Sequence, residues 1–315
     1  MKKVVFLMRL HEGPGGEYSA AVFNWYGVLE HLGYEVFYED YNSYNPLEFY
    51  EKIKILKPDF IFHPTYESFH SEFIKLREFS KVYCVHSDDD WRFDNYIKHW
   101  IPFTDGAIGY QNKKEAYDLE GAPENYYFRA RWAFNPNTMM HDFSSKKTHA
   151  LTHVGGFHGN KAQRLLELKN NPNLKTNIHC IEPKYSSYSW YLESYHKSIA
   201  SLCFTGNSVN TGPQSKTRLA ELPYYSVLVS EPWPDMHLWN MEPNKDFVLL
   251  ENDNSIELLN KVILDKDFGN KMFESGKKIL TEKNTVFHEW NEIMKHIDED
   301  YINKDVNTIL KKYKL

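Results

Sequence analysis

Leu151-Thr152-His153-Val154-Gly155-Gly156-Phe157-His158-Gly159-Asn160-Lys161-Ala162, near the middle of the chain, is the stretch that decides the fold. A strand pattern breaks into a glycine-rich turn, and a helix pattern reaching Leu168 follows. That is how a strand, a tight turn and a helix open an α/β domain. The same arrangement stands at the start of the chain. Val4–Leu10 is the first strand candidate, His11-Glu12-Gly13-Pro14-Gly15-Gly16 is a loop, and Val22, Trp25, Tyr26 and Leu29 recur at i, i+3, i+4 and i+7. Two openings of this kind in 315 residues predict two domains of about 150 residues each.

Working outward, strand and helix patterns alternate on both sides. In the first half, strands are predicted at Tyr34–Glu39, Asp59–His63, Lys81–His86 and Asp105–Tyr110, with helices over 46–57 and 69–79. Pro58 stops the first of these helices. In the second half, strands are predicted at Ala150–Val154, Asn177–Ile181, Ile199–Phe204, Val227–Ser230 and Phe247–Leu250. Helices over 162–168, 187–198, 216–225, 255–265 and 268–280 lie between or after them. The polar run Asp142–Thr148 reads as an interdomain linker. The predicted organisation is a first Rossmann-like domain over 1–141, that linker, a second over 149–290, and a helical segment 291–315 returning to the first. The fold class is α/β, two Rossmann-like domains facing each other across a cleft.

Composition narrows the function classes. Hydrophobic residues make up 42% and charged residues 25%, which fits a packed protein rather than a disordered one. The net charge of −6, with no basic run longer than Lys146-Lys147 or Lys311-Lys312, argues against a protein that coats duplex nucleic acid. Aromatics reach 16%, enough to line a sugar or base pocket, although an aromatic-rich core explains them equally. Cys84, Cys180 and Cys203 are widely spaced, odd in number and free of any Cys-x-x-Cys pattern, so reduced thiols are expected. The run Val4–Met8 is too short for a signal-peptide core or a membrane span, and the expected location is the cytoplasm.

Ligands of open α/β sheets bind at the carboxyl ends of strands. Both glycine-rich loops fall there, at Gly15-Gly16 and at Gly155-Gly156 with Lys161 beyond it. Glycine lets the backbone approach a phosphate, and the helix that follows offers unpaired N–H groups. Neither loop is a Walker motif or a strict Gly-x-Gly-x-x-Gly, and either could be a plain tight turn. A stronger signal is Gln214-Ser215-Lys216-Thr217-Arg218-Leu219-Ala220-Glu221, running through Leu222-Pro223 into Val227-Leu228-Val229-Ser230-Glu231. Lys216 and Arg218 sit at a helix start, where cations oppose the macrodipole unless an anion binds. Glu221 lies one turn on, where a carboxylate can accept two hydrogen bonds from a ribose diol. An exposed Arg–Glu pair is the alternative.

Lys-x-Arg-x-x-Glu-x-Pro, followed by a short turn and an apolar strand ending in Ser-Glu, resembles the C-terminal signature of the spore-maturation-protein (CgeB)-like GT-B glycosyltransferases. Downstream, Ser255-Ile256-Glu257-Leu258-Leu259, Gly276 and Thr285-Val286-Phe287-His288-Glu289-Trp290 fit the same pattern. The resemblance is good over roughly 199–295 and weaker before it; Ser226 departs from the usual glycine. It implies a GT-B fold whose second domain holds a nucleotide diphosphate sugar, of the UDP kind, with Glu221 on the ribose. The implied reaction is sugar transfer to a hydroxyl acceptor without a metal or other cofactor. In the first domain, His86-Ser87-Asp88-Asp89-Asp90 follows a strand. His86 with Asp88 is similar to the His-Asp pair that such enzymes place near the donor, and Asp88 or Asp89 is a candidate general base. The same triplet formally matches the Asp-x-Asp metal motif of a different fold, GT-A, which has no place for the second strand–helix series.

Glu182, after a second-domain strand, stands where a nucleobase edge would be read. Arg129 and Arg131 could face an anionic group, or be outward residues of an edge strand. His153, His158, His179 and His196 lack the spacing of a zinc site. The expected partners are the nucleotide sugar and a glycan, lipid-linked, protein or nucleobase acceptor. A nucleotide-sugar epimerase and a non-catalytic binding protein on the same scaffold are the competing readings.

Overall fold

A computed structural model describes residues 1–8, 25–40, 45–64, 71–86, 90–156, 159–182, 187–206 and 213–315. The described residues fall into two compact units. The first takes those of 1–131 together with Phe287–Ile309; the second takes Trp132–Val286 and Leu310–Leu315. The run 142–148, expected as a linker, lies inside the second unit. There Lys147 Nζ donates to the carbonyl oxygens of Ser198 and Tyr225, 2.6 Å from each. A polar run read as solvated linker is thus tied down by backbone acceptors.

The first unit is a six-stranded sheet of β1 (Lys3–Met8), β2 (Glu35–Asp40), β3 (Phe60–Pro64), β4 (Lys81–His86), β5 (Gly106–Gly109) and β6 (Tyr127–Arg129). The order is β2-β1-β3-β4-β5-β6 and every pairing is parallel. Val4, Val5, Phe6 and Leu7 are all fully buried, as a parallel strand covered on both faces requires. Alternation sends Val5 and Leu7 to one face, against Phe49, Ile53, Ile61 and Val82. Phe6 points to the other, where its ring stacks on Phe62 at 5.0 Å. Trp290 stands edge-on to both of these rings, at 5.4 and 5.2 Å. It comes from the helix Val286–Ile297, which is how the C-terminal segment helps close the first unit's core. Lys2 Nζ pairs with Asp298 at 2.5 Å and Asp300 at 2.9 Å, and Tyr34 donates to Asp298 at 2.6 Å.

The second unit is a five-stranded sheet of β7 (His149–Val154), β8 (Ile178–Ile181), β9 (Ser198–Cys203), β10 (Val227–Ser230) and β11 (Val248–Leu249). Its order is β11-β10-β9-β7-β8, again all parallel. Helices α1 (Asn160–Lys169), α2 (Tyr188–His196), α3 (Arg218–Tyr225), α4 (Asp253–Leu264) and α5 (Lys266–Lys283) connect and cover it. Leu165 and Leu168 of α1 and Ile256, Leu259 and Val262 of α4 share one core cluster with Leu151, Leu202 and Val229 of the sheet. The strand order reverses between β7 and β9, which makes the carboxyl ends of these two strands a topological switch point, where the ligand crevice of an open α/β sheet lies. Among the described residues, no helix is long and apolar enough to cross a membrane.

Candidate functional site

The crevice begins with Gly155, the residue after β7. Its φ is +153° and its N–H donates to the carbonyl of Ile181 at 3.0 Å. The Arg218 guanidinium lies directly on it: a β-carbon at position 155 would be 2.8 Å from Arg218 Nη2 and 3.4 Å from His153 Nε2. Glycine is needed here because a side chain would occupy the space of the arginine. Arg218 is the first residue of α3, and Lys161 is the second residue of α1. Burial lowers the Lys161 pKa, and the Arg218 charge lowers it further. Among the described residues, no carboxylate forms an ion pair with Lys161 or Arg218. The same two cations act on His153, a buried imidazole whose pKa falls to about 3, first through burial and then through Arg218.

Lys216 stands just before α3 and donates to the side-chain oxygen of Gln214. The loop carrying it is pinned from two sides. Trp132 Nε1 donates to the Ser215 carbonyl at 3.2 Å, and Gln214 N–H donates to the Thr205 carbonyl at 3.0 Å. Lys161 follows the carboxyl end of β7, and Lys216 and Arg218 follow that of β9. Burial pushes the pKa of the Cys203 thiol, the last residue of β9, up to about 11, while Arg218, Lys216 and Lys161 lower it.

Glu221 faces inward, 4% exposed. Its two carboxylate oxygens each accept a hydrogen bond from a tyrosine of α2, Tyr188 on one and Tyr191 on the other, both at 2.9 Å. These tyrosines are three residues apart, which puts them on one face of the helix with their rings parallel at 5.7 Å. Ser187 caps that helix by accepting from Trp190 N–H at 3.2 Å. Burial raises the Glu221 pKa, against the two tyrosine hydrogen bonds and the Arg218 charge, which lower it. Burial also holds both phenols well above their ordinary pKa, and the Glu221 charge adds to this, so they remain protonated donors. Tyr191 has a second partner: its oxygen accepts from Arg218 Nε at 3.3 Å.

The structure brings Gly155, Lys161, Lys216, Arg218 and Glu221 together around these strand ends. Gly156 follows in the same turn, and Glu182 is exposed just past β8. Ser226 is at the amino end of β10, away from this crevice, where its hydroxyl donates to Ser201 at 2.8 Å. Its φ of −154° is ordinary extended backbone, so no glycine is required. Gly15, Gly16, Asp88 and Asp89 lie outside the described residues.

His86 was expected to face a substrate, and here the structure differs. The ring is 1% exposed and Nε2 is 2.7 Å from the Tyr117 hydroxyl, with Tyr127 packed alongside. Burial drives its pKa down to about 3, with Lys113 contributing. The last residue of β4 points into the packing between strand and helix, a direction that sequence spacing does not give. Arg131 is likewise committed: its N–H, Nε and Nη2 all bind the buried Glu289 carboxylate, at 2.8, 2.9 and 2.9 Å. Tyr188 and Tyr191 were not singled out from the sequence. Their only signal was the three-residue spacing in a predicted helix, in a chain with 22 tyrosines.

No protein-family model matches this chain, and no curated protein does. Solved structures do. An alpha-glucosyltransferase in complex with UDP-glucose and DNA containing an abasic site superposes with a TM-score of 0.66 at 9% identity, over 94% of this chain and 99% of that one. The phage T4 BGT in complex with UDP and Mn²⁺ gives 0.59 at 13%, and sucrose-phosphate synthase from Thermosynechococcus elongatus gives 0.57 at 9%, each over the same shares of the two chains. Identities this low carry the architecture and not the chemistry. With two all-parallel α/β units and these neighbours, the chain has the GT-B glycosyltransferase fold.

Proposed function

We propose that this protein is a glycosyltransferase that moves a sugar from a nucleotide diphosphate donor, bound by the second unit, to a hydroxyl acceptor. One observation carries the reading. Arg218 lies on the glycine turn at the strand switch point, Lys161 is close enough to feel its charge, and among the described residues no carboxylate forms an ion pair with either. Mutual repulsion makes that arrangement unfavourable for folding, and a bound polyanion relieves it. A diphosphate fits best, because Arg218 offers a planar fork and the two lysines offer point charges. In the transfer step the same groups would balance the charge growing on the leaving diphosphate, so the reaction needs no metal. Each Glu221 oxygen keeps a second acceptor site beyond the one its tyrosine uses, which supports a contact to the ribose diol.

The Lys-x-Arg-x-x-Glu-x-Pro signature supports placement among the CgeB-like enzymes, and the UDP in the neighbouring complexes supports a uridine donor. For the acceptor, the neighbour solved with DNA keeps a modified base in play beside glycans, lipid-linked sugars and proteins. The net charge of −6 favours a small acceptor footprint over a long duplex. Three free cysteines support a cytoplasmic location. Calorimetry with UDP, UDP-glucose and UDP-N-acetylglucosamine tests the reading. Saturable binding of UDP is expected, followed by slow release of sugar from the cognate donor. A protein that binds no nucleoside diphosphate would refute it.

A further inference from the structure

We propose that Tyr191 is a positioning residue for the diphosphate: its hydroxyl, oriented by Glu221, fixes the Arg218 guanidinium against the Gly155 turn. The inference rests on the donor-site reading above and names how that site is held ready.

A phenol has one proton. Tyr191 gives it to Glu221 at 2.9 Å, so only oxygen lone pairs remain to face Arg218, and Nε donates to them at 3.3 Å. Nη2, on the same edge of the guanidinium, lies over the Gly155 turn, where only the absence of a β-carbon leaves room for it. The bond at Nε sets the direction of the guanidinium plane, and with it the direction of the N–H groups that Tyr191 does not use. The identity of the holding group matters. A carboxylate touching Arg218 would orient it equally well but would compete with phosphate for its charge. The neutral phenol orients without neutralising, while the anchoring negative charge stays one hydroxyl further away on Glu221. Burial, and then the Glu221 charge, keep Tyr191 protonated, and the relay depends on that. Tyr188 supplies the comparison: it makes the same bond to the same carboxylate at 2.9 Å, and it is Tyr191 that accepts from Arg218 Nε.

Replacing each tyrosine by phenylalanine therefore separates the relay from the packing. Binding of UDP and of uridine is measured for the wild type, Tyr191→Phe and Tyr188→Phe, with thermal melts alongside. Tyr191→Phe should cost uridine the same factor as Tyr188→Phe, since each removes one bond to Glu221, and should weaken UDP by about a further three- to tenfold through the lost ordering of Arg218. Tyr188→Phe should shift both ligands by one common factor. On an Arg218→Ala background, Tyr191→Phe should cost UDP no more than it costs uridine. If Tyr191→Phe does not fold, Arg218→Lys reads the same link, since it keeps the charge but loses the Nε donor; a UDP-selective loss is again expected. Wild-type UDP affinity in Tyr191→Phe, or equal losses for UDP and uridine, overturns the positioning role while the donor site stands. Failure of the wild type to bind UDP overturns the donor-site reading and this role with it.

Discussion

Gly155→Ala is the most direct test of the anion site. The new β-carbon would lie 2.8 Å from Arg218 Nη2 and 3.3 Å from Cζ. Carbon–nitrogen contacts relax at about 3.4 Å or more, so the guanidinium must retreat by roughly half an ångström. The backbone adds strain, since a φ of +153° is one that alanine adopts poorly. That strain is on the order of 1 kcal/mol, which lowers Tm by about 2–4 °C without unfolding the protein. The larger effect falls on the ligand. A hydrogen bond to a charged group contributes about 1.5–3 kcal/mol, and displacement weakens it without abolishing it. A loss of about 1–2 kcal/mol, or roughly five- to thirtyfold in UDP affinity, is expected. Calorimetry on the wild type, Gly155→Ala, Arg218→Ala and the double variant isolates the cause. With Arg218 already removed, the alanine should have little left to disturb. Unchanged UDP affinity in a folded Gly155→Ala, or the same penalty with and without Arg218, would refute the reasoning.

Three further outcomes are expected. Gly276→Ala sets a β-carbon 2.5 Å from the Asp246 backbone oxygen, which cannot slide aside as a side chain would, so a stability loss of about 1–3 kcal/mol should appear as a lower melting temperature; an unchanged melt would mean that α5 is not held so closely. His86 has a folded pKa of about 3 against an ordinary 6.5, so the unfolded chain binds more protons between these values and His86's contribution to stability is lost as pH falls from 6.5 towards 3. Its share is on the order of a few kcal/mol, and denaturation of His86→Gln beside the wild type should show a shallower acid limb; parallel limbs would place His86 in water. Finally, sugar transfer should survive EDTA if Lys161, Lys216 and Arg218 carry the leaving-group charge, whereas loss that Mn²⁺ restores would require a metal.

By itself, the sequence determined the two-unit parallel α/β architecture. Period-2 and period-3.6 patterns, and unbroken apolar strands such as Val4–Leu7, reflect local geometry and double-sided burial, both written in consecutive residues. It also marked Gly155, Lys216, Arg218 and Glu221, because cations at a helix start and glycines after a strand are locally anomalous. Strand order, and with it the crevice between β7 and β9, is a property of pairing between distant segments, and only the tertiary structure supplied it. The same holds for the direction of side chains at element ends. His86 was read as facing a ligand and is packed against Tyr117, and the two tyrosines that share the Glu221 carboxylate were not read at all. A buried hydrogen bond is decided by which helix face meets which across 30 or more residues of chain, and nothing in the spacing of either segment encodes that meeting.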